Sequence, residues 1–266
     1  MSAVNIAPIP DLGQRGDEIT LFAGPCSVES QEQFDEVAEC IAELGLTWIR
    51  GGAFKPRTNP HSFQGLGEEA LKIMRCAGDR LGLKTLTEVM DSAHCEMVHS
   101  YVDGLQVGAR NFQNFSLLSE IGRVTAESGK MVLYKRGFAG TIAEWLAACD
   151  YVVAGGNGNI MLCERGIRTF ETATRFTLDI AAVPVVHKQS LYPICVDVSH
   201  PAGQRDLVPS LALAAVAAGA DALMIEVHPN PPTALSDGPQ QLNLEQFRVL
   251  VEQLRALAGA LGKKIV

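Results

Sequence analysis

Apolar residues follow two alternating patterns along the chain. From about residue 19 onward, short runs rich in β-forming residues are each followed by a longer segment in which apolar positions recur with helical spacing. The short runs predict eight strands: ITLFAG, TWIRGG, LKTLTEV, GLQVG, MVLYK, NIMLCE, ICVDVS and ALMIEV. The longer segments predict eight helices, near residues 31–44, 65–81, 92–101, 115–128, 141–149, 170–182, 207–218 and 243–260.

This alternation predicts an α/β protein, and its count is that of a (β/α)8 or TIM barrel. A doubly wound open sheet is the alternative, but it usually has fewer strands and a glycine-rich fingerprint after the first one. Here the first predicted strand ends in GPCS instead. Because no linker interrupts the series, we expect a single barrel domain over residues 19–266, preceded by an N-terminal extension of residues 1–18 with no room for an added regulatory domain.

Composition and charge narrow the range of partners. The formal net charge of −8, without a basic face, disfavours nucleic acid and membrane surfaces. The seven cysteines form no CxxC pair, which is typical of reduced thiols in a cytoplasmic protein, and we expect Cys40, Cys76 and Cys149 to be small buried residues. The start of the chain lacks the features of a secretion signal, and the longest weakly polar run, residues 207–220, is too short to span a bilayer.

Polar residues follow the predicted strands at their carboxyl ends, where barrels of this kind carry their active sites. In chain order they are Cys26, Arg50 with Lys55 and Arg57, Glu88, Arg110, Lys135 with Arg136, Arg165, His200, and Glu226 with His228. Charged residues commonly begin loops, but several of these lie within apolar runs, where an unpaired charge would be costly to bury. We therefore expect an active site at this rim of the barrel.

One group of rim residues is cationic and comes from four strand ends: Arg50, Lys55, Arg57, Arg110, Lys135 and Arg165. Arginine offers a planar fork to phosphate or carboxylate, and lysine offers a compact charge. So many cations suit two anionic ligands, or one ligand that carries both phosphate and carboxylate, and Thr58 adds a hydroxyl for a phosphate. We interpret four other arginines as surface ion pairs, which are worth little: Arg123, Arg136, Arg175 and Arg248.

A second group offers a thiolate, an imidazole and two carboxylates, a donor set that suits a divalent metal ion: Cys26, His200, Glu226 and Asp237. Their spacing is not a local motif, and most have a structural alternative. Cys26 is equally consistent with a small buried residue, His200 with a helix start, and Asp237 with a turn. Glu226 lies in a predicted buried strand, which favours a functional role. Four histidines lie outside these groups, and we interpret them as structural or surface residues: His61, His94, His99 and His187.

Several long segments resemble one enzyme family. They are AGPCSVES, IRGGAFKPRT with SFQGLG, TEVMD, QVGARN, KRGFAGT, GNGNIMLCERGIRTFE, DVSHPAGQR, ALMIEVHP and ALSDGPQ. These are similar to motifs of the 3-deoxy-D-arabino-heptulosonate 7-phosphate (DAHP) synthases, closest to the compact type I beta branch without a regulatory domain. The resemblance covers about residues 20–247. It implies a barrel that condenses phosphoenolpyruvate with erythrose 4-phosphate and water, releasing phosphate, as the first step of the shikimate pathway to aromatic amino acids.

The same resemblance implies roles for individual residues. The ligands of a divalent ion (Mn²⁺, Co²⁺, Fe²⁺ or Zn²⁺) would be Cys26, His200, Glu226 and Asp237, with the ion acting as a Lewis acid on the aldehyde. Phosphoenolpyruvate would be held by Arg50, Lys55, Arg110, Lys135 and Arg165, beside the backbone of Gly108 and Ala109. Arg57 and Thr58 would hold the phosphate of the aldose, and Lys55 would handle a proton. Glu88 lies in a family motif without an assigned role, and a homotetramer or homodimer is expected.

The chain departs from the family pattern near His200. Val198 stands where a proline is expected, and PAG follows His200 in place of a run of small residues, which puts the preference for a metal ion in question. Octulosonate 8-phosphate synthase, which uses arabinose 5-phosphate, is one alternative, although that family has a KANRS-like segment in place of KPRT. A Schiff-base aldolase using Lys135 is another. A third is a catalytically silent barrel serving as a binding or regulatory subunit, although its expected mark, a lost ligand or cation, is missing.

Overall fold

A computed structural model describes residues 16–55, 59 and 61–266, in which eight parallel strands close into a barrel. The strands are β1 (Glu18–Gly24), β2 (Trp48–Arg50), β3 (Lys84–Val89), β4 (Gly104–Val107), β5 (Met131–Lys135), β6 (Ile160–Glu164), β7 (Ile194–Asp197) and β8 (Ala222–Glu226). Each pairs with the next, and β1 pairs with both β8 and β2, which closes the ring. The predicted single-domain (β/α)8 barrel is therefore confirmed.

Helices alternate with the strands around the outside of the barrel. They are α1 (Gln31–Glu43), α2 (Glu68–Leu81), α3 (Cys95–Tyr101), α4 (Phe115–Thr125), α5 (Ile142–Gly155), α6 (Ala182–Gln189), α7 (Ser199–Ala202), α8 (Val208–Ala217) and α9 (Leu244–Ala260). A two-residue strand that was not predicted, β9 (Lys264–Ile265), pairs with the amino end of β1, beyond the reach of the short β2. None of the helices described is long and apolar enough to cross a membrane.

The helix predicted over residues 170–182 is wrong. This segment is a loop, and α6 begins only at Ala182. Ile167 and Thr177 form an antiparallel bridge that folds the loop back on itself, and Phe170 at its turn is 97% exposed. The helical spacing of apolar residues there did not correspond to a buried face, so nothing stabilises a helix.

Strand periodicity explains why charged groups collect at one end of the barrel interior. Successive side chains on a strand point to opposite faces, so residues two apart share a face. Leu133 and Met224 belong to the apolar cluster that fills the middle of the barrel, and Lys135 and Glu226 lie two positions further along the same strands. The same step places other polar groups above this cluster: Arg50 above Trp48, Glu88 above Leu86, Arg165 above Cys163, and Asp197 above Cys195.

One of the predicted buried cysteines is exposed. Cys40 and Cys149 are buried as predicted, whereas Cys76 lies on the outer face of α2. Its helix directs the neighbouring Met74 and Ala77 into the core, and Cys76 falls outside that apolar stripe.

We expect Gly24→Ala to lower the free energy of unfolding by about 3 kcal/mol. Gly24 has a φ of +148°, and a Cβ there would lie 2.0 Å from the carbonyl oxygen of Arg50 on β2. Urea denaturation checks this, with Gly45→Ala as the control. Gly45 has a φ of +67° but open space around its Cβ position, so we expect a loss of only about 1 kcal/mol there. Equal losses for the two variants would contradict the steric argument.

Candidate active site

Four side chains of kinds that can bind a metal ion meet at the carboxyl end of the barrel. Cys26 follows β1, His200 lies in α7, Glu226 ends β8, and Asp237 lies in the loop after β8. One ligand atom from each lies within 4.8 Å of all the others. A thiol, an imidazole and two carboxylates at this separation fit a divalent transition metal ion.

Other side chains hold these groups in place. Lys55 Nζ donates hydrogen bonds to Cys26 Sγ and to the Cys26 carbonyl oxygen, both at 2.9 Å. Arg50 Nη1 lies 3.2 Å from Glu226 Oε1 in a buried ion pair, and Gln240 Nε2 donates to Glu226 Oε2 at 2.6 Å. The carboxylate of Glu226 is therefore oriented through both oxygens.

Burial and neighbouring charge set the protonation states in this cluster. Burial and the adjacent Glu226 raise the pKa of Cys26 to about 12, although Lys55 acts in the opposite direction. Burial also lowers the pKa of His200, despite the carboxylate of Asp197 beside it, so the imidazole is neutral at neutral pH. Burial alone would raise the pKa of Asp237, but His200, which is protonated at the low pH where this carboxyl titrates, together with Arg175 and Lys55 keeps it below its ordinary value. The cluster thus presents a thiol, a neutral imidazole and ionised carboxylate.

Arg175 forms an exposed ion pair, as predicted, but its partner is Asp237 and it lines the cavity at the rim. Its Nη1 lies 3.3 Å from Asp237 Oδ2 and donates to Gln240 Oε1 at 2.9 Å. It reaches the rim because the loop between β6 and α6 folds over the mouth of the barrel. Gln240 therefore joins Arg175 to Glu226, and neither Arg175 nor Gln240 could be placed here from a local pattern.

The interpretation of Arg136 as a surface ion pair is corrected. Arg136 follows Lys135 and points to the opposite face, where it is 6% exposed and pairs with Glu164 at 2.9 Å and Asp179 at 2.7 Å. Its ion pairs are thus largely buried rather than on the surface. Arg123 and Arg248 form exposed ion pairs, as predicted.

Arg165 is a buried cation without a carboxylate within ion-pair distance in the described part of the chain. It is 4% exposed, and its guanidinium lies 4.1 Å from the ring centre of Phe176 and 5.0 Å from that of Phe138. Burial lowers its pKa to about 10, so it still carries a charge at neutral pH. The guanidinium of Arg110 also lies near Phe138, 5.8 Å from its ring centre. Two arginines held beside aromatic rings in this way form a surface suited to binding an anion.

These groups line one cavity of about 320 Å³. Arg165, Arg110 and Phe138 form one wall, His200, Asp237 and Arg175 form another, and Lys55, Asn59, Ser62 and Glu88 complete it. Glu88 accepts a hydrogen bond from Gln106 at 3.3 Å and lies against Gly108, where an added Cβ would meet its carboxylate at 2.0 Å. Ala109 then begins a 3₁₀ turn that carries Arg110. The predicted aldose contacts Arg57 and Thr58 lie outside the described residues.

The four histidines interpreted as structural or surface residues do not line this cavity. His94 stacks on Phe54 with ring centres 5.1 Å apart, His99 contacts Ser128 at 2.9 Å, and His187 lies 2.8 Å from Asp221. His61 is exposed.

Comparison with known proteins identifies the family. Residues 12–260 match the family model described as the DAHP synthetase I family. This chain belongs to the DAHP synthetase I family. It is 52% identical over 246 residues to phospho-2-dehydro-3-deoxyheptonate aldolase of Thermotoga maritima, covering 92% of this chain and 72% of that protein. The resemblance recognised from the motifs is therefore confirmed.

Solved structures of DAHP synthases agree with this assignment. The crystal structure of the Thermotoga maritima enzyme superposes with a TM-score of 0.90 at 50% identity, over 94% of this chain and 72% of that one. A truncated form of the synthase from the same organism has a TM-score of 0.89 at 45% identity, over 99% of this chain and 95% of that one. The 2-dehydro-3-deoxyphosphooctonate aldolase of Nitrobacter hamburgensis is more distant, at 33% identity over 98% of this chain and 96% of that protein.

The departures from the family pattern leave His200 in the cluster. The backbone N–H of Val198 donates to the carbonyl oxygen of Met224 at 3.2 Å, a bond that proline cannot make. Pro201 lies within the first turn of the short helix α7, where its missing N–H costs little. The unusual residues thus fit the backbone of this family member.

Proposed function

We propose that this protein condenses phosphoenolpyruvate with erythrose 4-phosphate and water to give DAHP and phosphate, the first step of the shikimate pathway. One observation carries the proposal. His200 and Asp237, two members of the four-residue cluster that could hold a metal ion, line the same cavity as the cation of Arg165, which has no carboxylate partner among the described residues. The two substrates bring two phosphates and a carboxylate, which a net-negative protein can bind only through a concentrated cationic site. The family assignment and the more distant octulosonate relatives support this choice of substrates.

The cationic side chains bind and orient the substrates. We propose that phosphoenolpyruvate is held by Arg50, Lys55, Arg110, Lys135 and Arg165 with the backbone at Ala109, and the aldose phosphate by Arg57 and Thr58. C3 of phosphoenolpyruvate forms a bond with the aldehyde carbon, water adds at C2, and the C2–O bond then breaks to release phosphate. Fixed cations favour this sequence by bringing the anions together and by stabilising the departing phosphate.

Cys26, His200, Glu226 and Asp237 would hold the divalent ion, which when bound supplies Lewis-acid polarisation of the aldehyde oxygen. The ion would be Mn²⁺, Co²⁺, Fe²⁺ or Zn²⁺. Lys55 lies beside Cys26, and although burial opposes it, Cys26 and Glu226 raise the pKa of Lys55. Its ammonium is thus charged at neutral pH and is our candidate to supply the proton that the aldehyde oxygen takes up.

A Schiff-base mechanism through Lys135 is disfavoured. Lys135 Nζ lies 2.5 Å from the carboxylate of Asp197, and both residues are buried. A lysine nitrogen held against a carboxylate in this way is not free to attack a carbonyl carbon.

Phosphate release tests the proposed function. We expect release that requires both phosphoenolpyruvate and erythrose 4-phosphate, is lost with EDTA, and returns with Mn²⁺ or Co²⁺. A faster reaction with arabinose 5-phosphate would overturn the choice of aldose, and borohydride trapping of the substrate on Lys135 would overturn the metal mechanism. Absence of phosphate release with either sugar at saturating metal would overturn the enzymatic proposal itself. The homotetramer or homodimer and the cytoplasmic location stay predictions from the family resemblance.

We expect the affinity for Co²⁺ to rise about tenfold per pH unit between pH 7 and 9. Burial and Glu226 raise the pKa of Cys26 to about 12, so the metal-free protein holds a thiol, whereas the ligand is a thiolate. One proton must therefore leave for each ion bound, and His200, whose pKa is lowered by burial, adds none in this range. Calorimetry in buffers of different ionisation enthalpy counts the proton. Cys26→Ser, which lacks an ionisable thiol, should bind with almost no pH dependence, and an equal slope in both proteins would contradict the assignment.

A further inference from the structure

Asp197 contacts one of the proposed substrate-binding cations and one of the proposed metal ligands. It ends β7, is fully buried, and its Oδ2 lies 2.5 Å from Lys135 Nζ and 2.7 Å from His200 Nδ1. Its other oxygen, Oδ1, accepts the backbone N–H groups of Ser199 at 3.2 Å and His200 at 3.1 Å. One oxygen thus faces a proposed substrate-binding cation and a proposed metal ligand, while the other fixes the carboxylate to the backbone.

The position of Asp197 favours one tautomer of His200. Oδ2 is close to Nδ1 but lies off the direction in which an Nδ1–H would donate, so the contact is electrostatic rather than an aligned hydrogen bond. A negative charge there favours the proton on Nδ1. The lone pair is then on Nε2, which lies 3.5 Å from Glu226 Oε1 and 3.9 Å from Asp237 Oδ2, on the side of the other metal ligands. Carboxylates that hold metal-binding histidines commonly act in this way.

The same carboxylate neutralises Lys135. Both side chains are buried, at 4% exposure for Lys135 and 0% for Asp197, so each charge depends on the other. An anion that binds Lys135 competes with Asp197 for the ammonium. When the Lys135 ammonium turns towards that anion, its contact with Asp197 weakens. The Asp197 carboxylate then interacts more strongly with His200, and the imidazole becomes a stronger ligand for the metal ion.

We propose that Asp197 is a positioning residue that couples phosphoenolpyruvate binding at Lys135 to metal binding at His200. This inference rests on the proposed function, since it takes those two ligands from it. Binding of phosphoenolpyruvate strengthens binding of the metal ion. The metal ion strengthens binding of phosphoenolpyruvate by the same factor, because both effects are one coupling free energy. Neither ligand needs to touch Asp197.

The experiment measures Co²⁺ affinity by competition with a chelator, with and without saturating phosphoenolpyruvate and with no aldose present. For Asp197→Asn we expect Co²⁺ affinity to fall about 10–100-fold, the usual effect of losing a carboxylate behind a metal-binding histidine. We also expect phosphoenolpyruvate to raise the Co²⁺ affinity of the unaltered protein about fivefold or more, and this enhancement to fall at least fivefold in the variant. The visible spectrum of bound Co²⁺ should change, because an asparagine amide no longer favours the proton on Nδ1.

Asp221→Asn is a matched control at the other end of the barrel. Asp221 is also a buried carboxylate, lies 2.8 Å from His187 Nε2, and accepts the backbone N–H of Ile194 at 2.8 Å. Its replacement removes a comparable histidine–carboxylate contact, so we expect unchanged Co²⁺ affinity, spectrum and coupling. A loss of affinity in this control as large as in Asp197→Asn would mean general destabilisation and would overturn the proposal.

Other outcomes separate this inference from the proposed function. Wild-type affinity, spectrum and coupling in Asp197→Asn would overturn the inference alone, since phosphate release by the unaltered protein tests the function. If Asp197→Asn does not fold, Asp197→Glu is measured in the same way. This variant keeps the charge but displaces it, so we expect a reduced affinity and an altered Co²⁺ spectrum, and wild-type values would overturn the proposal.

Discussion

Arg165→Met should abolish most of the activity without weakening the fold. We expect kcat/KM for phosphoenolpyruvate to fall about 10³-fold, which corresponds to the ~4 kcal/mol that truncation of a buried charge pair with a bound anion typically costs. Steady-state phosphate release at varied phosphoenolpyruvate measures this. The expectation follows from the position of Arg165 in the cavity wall, without a carboxylate of its own among the described residues.

The stability of this variant gives an independent check. Arg165 is a buried charge whose pKa is lowered to about 10 by burial, so the folded protein gives up solvation to hold it there. Replacement by methionine, of similar length and apolar, should therefore raise the free energy of unfolding by about 1 kcal/mol. A gain in stability together with a loss of activity is typical of a residue kept for binding rather than for folding.

Arg136→Met is the matched control, because it replaces a buried arginine that directly follows the neighbouring strand β5 and faces away from the cavity. It leaves Glu164 and Asp179 without their partner, so we expect a loss of about 3–5 kcal/mol in the free energy of unfolding. A stability loss of that size in Arg165→Met, or an activity close to that of the unaltered protein, would contradict the role given to Arg165.

Cys26→Ala should weaken Co²⁺ binding about 10²–10³-fold. Four ligands in a structural site together supply ~10–16 kcal/mol, so the loss of one is expected to cost about a quarter of that. Lys55 keeps its hydrogen bond to the backbone carbonyl of residue 26, so the variant removes the thiol with little other change. Phosphate release at a metal concentration equal to that of the protein should fall by a similar factor and recover in part at high Co²⁺.

Cys195→Ala provides the comparison for this experiment. Cys195 is also a buried cysteine, on β7 and within the apolar cluster that fills the barrel, below the rim. We expect a small loss of stability, about 1 kcal/mol, and unchanged Co²⁺ affinity. If both variants bind Co²⁺ as tightly as the unaltered protein does, Cys26 is not a ligand.

Most of the barrel followed from local pattern, and each error has a physical cause. Strands such as MVLYK and ALMIEV are short apolar runs bounded by polar residues, and their position along the chain predicted the barrel directly. Segment 170–182 has apolar residues at helical spacing, but residues 170–181 are exposed or only half-buried. Cys76 lies on a helix that does form, but it falls outside the stripe that this helix buries. Amphipathic spacing indicates a helix only when a partner surface covers it, which the sequence does not show.

The residues of the candidate site also fall into those that local pattern predicts and those that it does not. Residues at strand ends, such as Lys135, Arg165 and Glu226, were recognised from charges inside or directly after apolar runs. Asp197 has the same signal at the end of ICVD, but its contact with Lys135, 62 positions away, depends on the closed barrel and is not visible in the sequence. Arg175 and Gln240 carried no signal, since they reach the rim from irregular segments.

By itself the sequence determined the alternation of strands and helices, the end of the barrel that carries charge, and the kinds of side chain collected there. These properties depend on residues that are neighbours along the chain, through the period of two in a strand and of 3.6 in a helix. Only the tertiary structure decided which of those side chains meet. Cys26 and Asp237 come within 3.4 Å although 211 positions separate them, because the barrel closes by pairing β1 with β8.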